Sequence, residues 1–254
     1  MTKHSVFSTE EVKLHNATAE EVLNLLEPGS IDLVMTDPPY IISKDSGFSK
    51  GGDGKFNNYS TDYGAWDRDE FSIEDLEGII GQMKRVLKPG GTALIFFDIW
   101  KLSTLWDMLE GQGFEGIDVV EWQKTNPVPI NSRHNFLTNA REMALVAHKP
   151  GGKPRIEDAR EFGVYPYPIH HGKDRFHPTQ KSLPLFEELI GVYAPEVGTV
   201  LDCFSGSATT GVAALNTGRA YIGCEPDPEY FEKSVERLKQ CEKKRPKAAG
   251  GLGA

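Results

Sequence analysis

The sequence predicts an α/β fold in which helices cover a mostly parallel, doubly wound β-sheet. Short apolar runs such as IDLVMT at 31–36 and TALIFF at 92–97 have the composition of buried parallel strands. A segment with helical apolar spacing lies between these two runs, at 73–87, and another, AEEVLNLL at 19–26, precedes them. Strands that alternate with helices along a chain are typical of this fold class.

The remaining elements follow from the same patterns and from capping residues. Ser72 is a helix N-cap with Asp75 three positions on, and KPGG at 88–91 ends that helix. Pro184 lies in the first turn of another helix. In chain order, we predict helices near 19–26, 73–87, 101–111, 182–193, 207–218 and 228–242, and strands near 31–36, 92–97, 117–123, 142–148, 198–204 and 220–225. Residues 43–70 form a long loop, and 150–178 have no regular pattern.

Composition restricts the class of protein. The 254 residues suffice for one large α/β domain or two small ones. No apolar run approaches the roughly 18 residues of a membrane span, and the first residues contain no secretory signal. The three cysteines have neither metal-site nor CxxC spacing, which indicates a reducing compartment. We therefore expect a cytoplasmic protein without a membrane partner.

Charge gives mixed evidence about nucleic acid. The net charge of −9 counts against a nucleic-acid-binding protein. However, residues 122–155 are locally basic, with Glu142 as the single acid among Lys124, Arg133, Arg141, Lys149, Lys153 and Arg155. This stretch is either scattered surface charge or a nucleic-acid contact, and the sequence leaves both interpretations open.

A second pattern indicates a nucleoside site. VLDCFSGSATTGVAAL at 200–215 places small residues between a strand and a helix, where a ligand can approach the backbone. Glu225 ends the next strand about twenty residues later, where an acid can accept hydrogen bonds from ribose hydroxyls. The full G-x-G-x-x-G fingerprint and the P-loop G-K-[ST] are absent, which favours an adenosine without phosphates. The alternative is ordinary packing of a helix on the sheet.

Four motifs in order resemble the β-class amino-methyltransferases of DNA, which use S-adenosylmethionine to modify adenine N6 or cytosine N4. They are DPPY at 37–40, HPTQKS at 177–182, DCFSGSATT at 202–210 and GCEPDPEYFE at 223–232. The catalytic motif comes first and the cofactor motifs come last, as in that class. The resemblance covers nearly the whole chain and implies a Rossmann-like methyltransferase fold with this permuted motif order and an antiparallel strand pair at one sheet edge.

The resemblance also implies a set of site residues. Asp37, Pro38, Pro39 and Tyr40 correspond to the catalytic motif. The residues implied for cofactor binding are Asn16 at the adenine end, Asp37, His177, Thr179 and Lys181 near the cofactor carboxylate, and Asp202, Phe204, Gly206, Ser207, Ala208, Thr209 and Glu225. Ala208 and Ser182 replace the family's usual glycine and proline, and HNA at 15–17 replaces a Gly-Asp pair. No metal site is expected.

The catalytic motif suits attack by an exocyclic amino group. The Asp37 carboxylate and the Pro38 carbonyl can accept the two amino hydrogens, and the prolines hold both acceptors in place. Tyr40 offers a ring on which the base can stack, and the base must be flipped out of a duplex to reach it. Asp before the prolines favours adenine by resemblance. The alternatives are N4-cytosine methylation, an RNA substrate, an inactive relative and, remotely, a nicotinamide-dependent oxidoreductase.

We predict one catalytic domain over 1–242 and a disordered tail over 243–254. Within the domain, 43–70 is expected to be an active-site or DNA loop, and 150–176 a short target-recognition region. The aromatic residues of the loop either stack on bases or pack the loop onto the domain; they are Phe48, Phe56, Tyr59, Tyr63 and Trp66. DNA is the expected partner, and the sequence leaves open a homodimer, a restriction endonuclease partner and the recognition sequence.

Overall fold

The fold is built around one mixed β-sheet. The computed structural model describes residues 5–39, 71–127, 138–154, 156, 162–172, 175–177 and 180–245. The strands of this part of the chain are β1 (Ser5–Ser8), β2 (Val12–Asn16), β3 (Ile31–Thr36), β4 (Leu87–Phe97), β5 (Glu115–Lys124), β6 (Arg141–His148), β7 (Val164–Tyr167), β8 (Thr199–Asp202) and β9 (Ala220–Cys224). They lie in the order β1-β2-β9-β8-β3-β4-β6-β5-β7.

The centre of the sheet is parallel, as the sequence predicts. Strands β2, β9, β8, β3 and β4 run in one direction. The β1–β2 pair at one edge is antiparallel. A further antiparallel strand, β6, lies between β4 and β5, and β7 pairs in parallel with β5 at the other edge. Because β3, β8 and β9 are parallel neighbours, their carboxyl ends meet at one edge of the sheet.

Helices cover both faces of the sheet. They are α1 (Ala19–Leu25), α2 (Ile73–Val86), α3 (Leu102–Gly111), α4 (Leu183–Tyr193), α5 (Thr209–Asn216) and α6 (Pro228–Lys244). One apolar cluster contains side chains of α1, α2 and α3, and the other contains side chains of α4, α5 and α6. On β3, Val34 belongs to the first cluster while Leu33 and Met35 belong to the second. The doubly wound α/β prediction is therefore confirmed.

Predictions from local sequence are confirmed where they depend on a capping residue or on burial. Ser72 and Asp75 form the predicted capping box at the start of α2. The three cysteines are buried free thiols. In contrast to the prediction, β4 begins at Leu87, and KPGG lies within it at a break in register with β3. Helix α6 continues to Lys244, two residues beyond its predicted end.

Three strands were not predicted. Strands β1 and β2 are short and partly exposed, so they lack an apolar run. Strand β7 lies within the segment 150–178 that was predicted to be irregular, and its sequence VYPY contains Pro166. Proline is tolerated there because β7 is an edge strand. The predicted loop 43–70, with its five aromatic residues, and the tail beyond Arg245 lie outside the described residues.

Candidate active site

A cavity of about 1050 Å³ opens at the carboxyl ends of β3, β8 and β9. Its walls contain most of the residues that the sequence predicts for catalysis and cofactor binding, namely Asp37, Pro38, Pro39, His177, Lys181, Asp202, Phe204, Gly206, Ser207, Thr209 and Glu225. Asn16 and Ala208 are not among the lining residues. Tyr40 and Thr179 lie outside the described residues. Motifs that are about 165 residues apart in the sequence thus share one cavity.

Asp202 joins the two halves of the cavity. Its Oδ1 accepts hydrogen bonds from the Thr36 hydroxyl at 2.7 Å and from the Phe204 amide at 3.0 Å, and its Oδ2 accepts one from the Thr210 hydroxyl at 2.5 Å. Burial raises the pKa of Asp202 to about 6, although these donors oppose the shift. Since Thr36 directly precedes Asp37, this network fixes the start of the DPP segment relative to the loop after β8.

Glu225 has the position expected of a ribose-binding acid. It is buried at the end of β9, and its two oxygens accept the amides of Gly206 and Asp227, each at 2.9 Å. Burial raises its pKa to about 7. Each carboxylate oxygen can accept a second hydrogen bond, so Glu225 retains acceptor capacity toward the cavity. The Asn16 amide donates to the carbonyls of Glu225 and Pro226, and it supports this acid from outside the cavity.

The loop after β8 has an unusual backbone. Gly206 and Ala208 have positive φ angles of 49° and 55°. A left-handed conformation costs a residue with a side chain roughly 1–2 kcal/mol, which explains why glycine is usual at the position of Ala208 in the resembling family. Helix α6 holds the loop in this shape, because Ser234 donates to the Gly206 carbonyl at 2.7 Å and Arg237 donates to the Ser207 carbonyl at 2.8 Å.

His177 packs over this loop as a neutral side chain. Its ring is buried against Tyr230, with 4.5 Å between the ring centroids. Burial, assisted by Lys181 and Arg175, lowers the pKa of His177 to about 4. A methyl group at Gly206 would lie 3.4 Å from the His177 ring, so the loop and the ring are already in close contact. His177 therefore contributes shape rather than charge to the cavity wall near neutral pH.

A chain of alternating charges forms another wall. Lys181 Nζ lies 2.9 Å from Asp37 Oδ2 and 2.5 Å from Glu142 Oε2, and Lys124 Nζ lies 2.8 Å from Glu142 Oε1. Burial opposes ionisation of Glu142, but Lys181 and Lys124 outweigh it and hold the pKa of this carboxyl below its usual value. Lys181, which was expected near the cofactor carboxylate, thus contacts Asp37, the acid of the predicted catalytic motif.

Many lining residues were not identified from the sequence, among them Glu142 and Gln180. One feature of the sequence distinguishes Glu142, which is the single acid of the basic stretch 122–155. Gln180 is buried and its Oε1 accepts the Phe176 amide at 3.4 Å. Among the described residues, no group accepts a hydrogen bond from the Gln180 Nε2. The Nε2 is itself almost fully shielded from solvent.

Two cations of the basic stretch, Lys124 and Lys149, are engaged inside the molecule. Lys124 belongs to the cavity wall. The Lys149 ammonium donates to the carbonyls of Arg85 and Leu87, at 3.2 and 2.7 Å, where α2 ends. Arg141 lies 3.8 Å from Glu121. Arg133 and Arg155 lie outside the described residues. The nucleic-acid contact of this stretch therefore stays a prediction.

The cavity suits an adenosine-containing cofactor together with a second, planar group. Glu225 offers acceptors for the ribose, small residues let a ligand approach the backbone of the loop after β8, and Phe204 supplies a ring. Asp37 and the two prolines that follow it line the same cavity. Fold and cavity together are those of the Rossmann-like methyltransferases.

Comparison with known proteins identifies the family. Residues 31–236 match the family model of the N6/N4 methyltransferases, described as DNA methylase. The chain is 31% identical to the type II methyltransferase M2.DpnII of Streptococcus pneumoniae, over 94% of this chain and 93% of the relative. It is 28% identical to the type II methyltransferase M2.MboI of Moraxella bovis, over 88% of this chain and 86% of the relative. The chain belongs to the DNA methylase family.

Solved structures agree with this assignment. The complex of M1.HpyAVI with SAM superposes with a TM-score of 0.69 at 26% identity, and the match covers 89% of this chain and 98% of that one. The PvuII DNA methyltransferase, which is cytosine-N4-specific, also gives a TM-score of 0.69, at 18% identity and 93% coverage of both chains. The latter similarity concerns the fold. S-adenosylmethionine, the cofactor expected from the sequence, is confirmed at the level of the family.

The comparisons do not distinguish adenine from cytosine, since the family contains both specificities. In the part of the chain that the structure describes, no helix is both long and apolar enough to cross a membrane.

Proposed function

We propose that this protein transfers a methyl group from S-adenosylmethionine to the exocyclic N6 of adenine in DNA. One observation carries the proposal: Asp37 of the DPP segment and Glu225 of the nucleoside motif line the same cavity. The Asp202 network supports it, because the hydrogen bond from Thr36 ties the DPP segment to the loop after β8.

We assign the cofactor to the part of the cavity formed by β8, β9 and the loop between Asp202 and Thr209. Glu225 binds the ribose, and Phe204 packs against the adenosine. The polypeptide near Gly206 and Ser207 admits the ligand closely because these residues are small. When bound, S-adenosylmethionine supplies an electrophilic methyl group on its sulfonium.

We assign the target amino group to Asp37 and Pro38. The exocyclic nitrogen of adenine is a weak nucleophile, because its lone pair is delocalised into the ring. Two acceptors, the Asp37 carboxylate and the Pro38 carbonyl, favour a tetrahedral nitrogen with an available lone pair. The prolines restrict the backbone, so these acceptors are preorganised for the transition state. Such a base must leave the duplex to enter the cavity. Tyr40, outside the described residues, keeps its predicted stacking role.

Adenine is favoured over cytosine by the aspartate before the two prolines, an inference from the family resemblance. N4-cytosine methylation is the second candidate, and an RNA substrate is the third. The experiment is methyl transfer from labelled S-adenosylmethionine to DNA, followed by hydrolysis and nucleoside analysis. The proposal requires N6-methyl-2′-deoxyadenosine as the product. A product that contained only N4-methyl-2′-deoxycytidine would refute the base assignment. In a parallel reaction that offers RNA, label incorporated into RNA and not into DNA would refute the substrate assignment.

Several wider expectations stay predictions. We place the reaction in the bacterial cytoplasm, since the relatives named above are bacterial type II methyltransferases. A homodimer and a partner restriction endonuclease are expectations from the same class. The single catalytic domain over 1–242, with a recognition region over 150–176, is likewise a prediction.

A further inference from the structure

Glu142 occupies the middle of the charged wall described above. It projects from β6, which pairs with β4 on one side and β5 on the other. One of its oxygens lies 2.8 Å from the Lys124 ammonium, and the other lies 2.5 Å from the Lys181 ammonium. Lys181 in turn lies 2.9 Å from Asp37. Glu142 is thus one residue removed from the acid that we assign to the target amino group.

We propose that Glu142 is a positioning residue for methyl transfer, which acts by holding Lys181 in the place where its ammonium orients the Asp37 carboxylate. The inference rests on the proposed function, because it presupposes that Asp37 accepts a hydrogen bond from the target amino group.

Lysine needs such a restraint. Its side chain has four rotatable methylene bonds, and an unrestrained ammonium adopts many positions. Here the ammonium is confined by Glu142 on one side and by the Phe96 ring, whose centroid lies 5.4 Å away. Only 10% of the Lys181 side chain is exposed. A confined cation beside Asp37 Oδ2 fixes the rotation of that carboxylate. The target amino group needs this fixed orientation, because its hydrogen bond to the carboxylate is directional.

Glu142 also limits how strongly Lys181 binds Asp37. With Glu142 present, the Lys181 charge is shared between two carboxylates. Without it, Asp37 is the nearest described anion to Lys181, and the ammonium competes with the target amino group for the carboxylate. Loss of the Glu142 charge should therefore slow methyl transfer while the Glu225 end of the cavity keeps its contacts.

The surroundings of Glu142 indicate a role beyond the stability of the fold. Only 20% of its side chain is exposed, and removal of one partner of a poorly solvated ion pair is costly. A fold that needed only stability at this position could use apolar residues of similar volume, which are often as stable as a buried ion pair. The four alternating charges line the cavity itself, where charge affects a ligand.

The test is a double-mutant cycle on the full chain, with Glu142→Gln, Lys181→Met and the double variant. The measured quantities are the single-turnover rate of methyl transfer to DNA and the dissociation constant of S-adenosylhomocysteine. Glu121→Gln is the matched control, because Glu121 lies on the adjacent strand β5 and contacts Arg141 at the surface. Thermal melts of every variant establish that each is folded.

We expect Glu142→Gln to lower the single-turnover rate by about tenfold or more, with the dissociation constant within about threefold of wild type. The double variant should be no slower than Lys181→Met, because Glu142 acts through Lys181. Glu121→Gln should match wild type. A wild-type rate for Glu142→Gln, or additive losses in the double variant, would overturn the inference. If the wild-type protein itself methylates no DNA, the proposed function fails, which is a separate outcome.

Discussion

The pKa of Glu225 predicts how cofactor affinity depends on pH. Burial raises this pKa to about 7, so the carboxyl is largely protonated at pH 6 and largely ionised at pH 8. Ribose hydroxyls donate hydrogen bonds, and they bind the ionised form more strongly than the protonated form. The affinity for an adenosine ligand should therefore rise as pH rises through 7.

The size of the effect follows from the ionised fraction. For a pKa near 7, this fraction is about 0.09 at pH 6 and about 0.91 at pH 8, so the apparent affinity should increase about tenfold over this range. Binding should release about 0.9 proton at pH 6 and about 0.1 at pH 8. His177 does not contribute, because its pKa of about 4 lies below the range.

The assay is isothermal titration calorimetry with S-adenosylhomocysteine, in two buffers of different ionisation enthalpy, so that proton release is measured directly. Glu225→Gln is the informative variant, since glutamine keeps the shape and cannot ionise. We expect it to bind about tenfold more weakly at pH 8, with little pH dependence. Any slope that remains in the variant belongs to Asp202, whose pKa is about 6. A wild-type affinity that is flat between pH 6 and 8 would refute the reasoning.

Three further variants test other parts of the structure. Gly223→Ala should lower the melting temperature and weaken cofactor binding, because the added methyl group would clash with the Tyr221 ring. The Tyr221 hydroxyl bonds Ser205 in the loop after β8, so a displaced ring disturbs that loop; an unchanged melting temperature would contradict this packing. Lys149→Met should reduce the free energy of unfolding by about 1–2 kcal/mol in urea titrations, since the Lys149 ammonium caps the end of α2. An unchanged free energy of unfolding would contradict the capping role. Gln180→Leu should leave the free energy of unfolding equal or higher in urea titrations, because its Nε2 is buried without an acceptor among the described residues. A clear loss of stability would contradict this interpretation.

Sequence reasoning succeeded where one short segment contains the whole signal. The capping box at Ser72 and Asp75 fixed the start of α2. The apolar run of β3 followed by Asp37 placed the DPP segment at a strand end. The spacing from the small-residue loop to Glu225 indicated a nucleoside site, and the structure brings both to one cavity. Each of these features depends on local propensity or on a fixed separation in the chain.

It failed where the decisive contact is distant in sequence or where the element lacks a pattern. Glu142 on β6 and Lys181 just before α4 are 39 residues apart, and only the tertiary fold brings them together. The unsatisfied Nε2 of Gln180 depends on how the folded chain buries that side chain. Strand β7 contains a proline, and its edge position, which makes the proline acceptable, is a property of the whole sheet. No local rule identifies such features.

The central claim is that Asp37 holds the target amino group while a separate part of the same cavity holds the cofactor. The most direct test is Asp37→Ala, with single-turnover methyl transfer to DNA and S-adenosylhomocysteine affinity measured on the same preparation. Asp98→Ala is the matched control, because Asp98 follows the neighbouring strand β4 and is not a lining residue of the cavity. We predict that Asp37→Ala loses methyl transfer and keeps most of its cofactor affinity, while Asp98→Ala keeps both. Methyl transfer at the wild-type rate in Asp37→Ala would contradict the account.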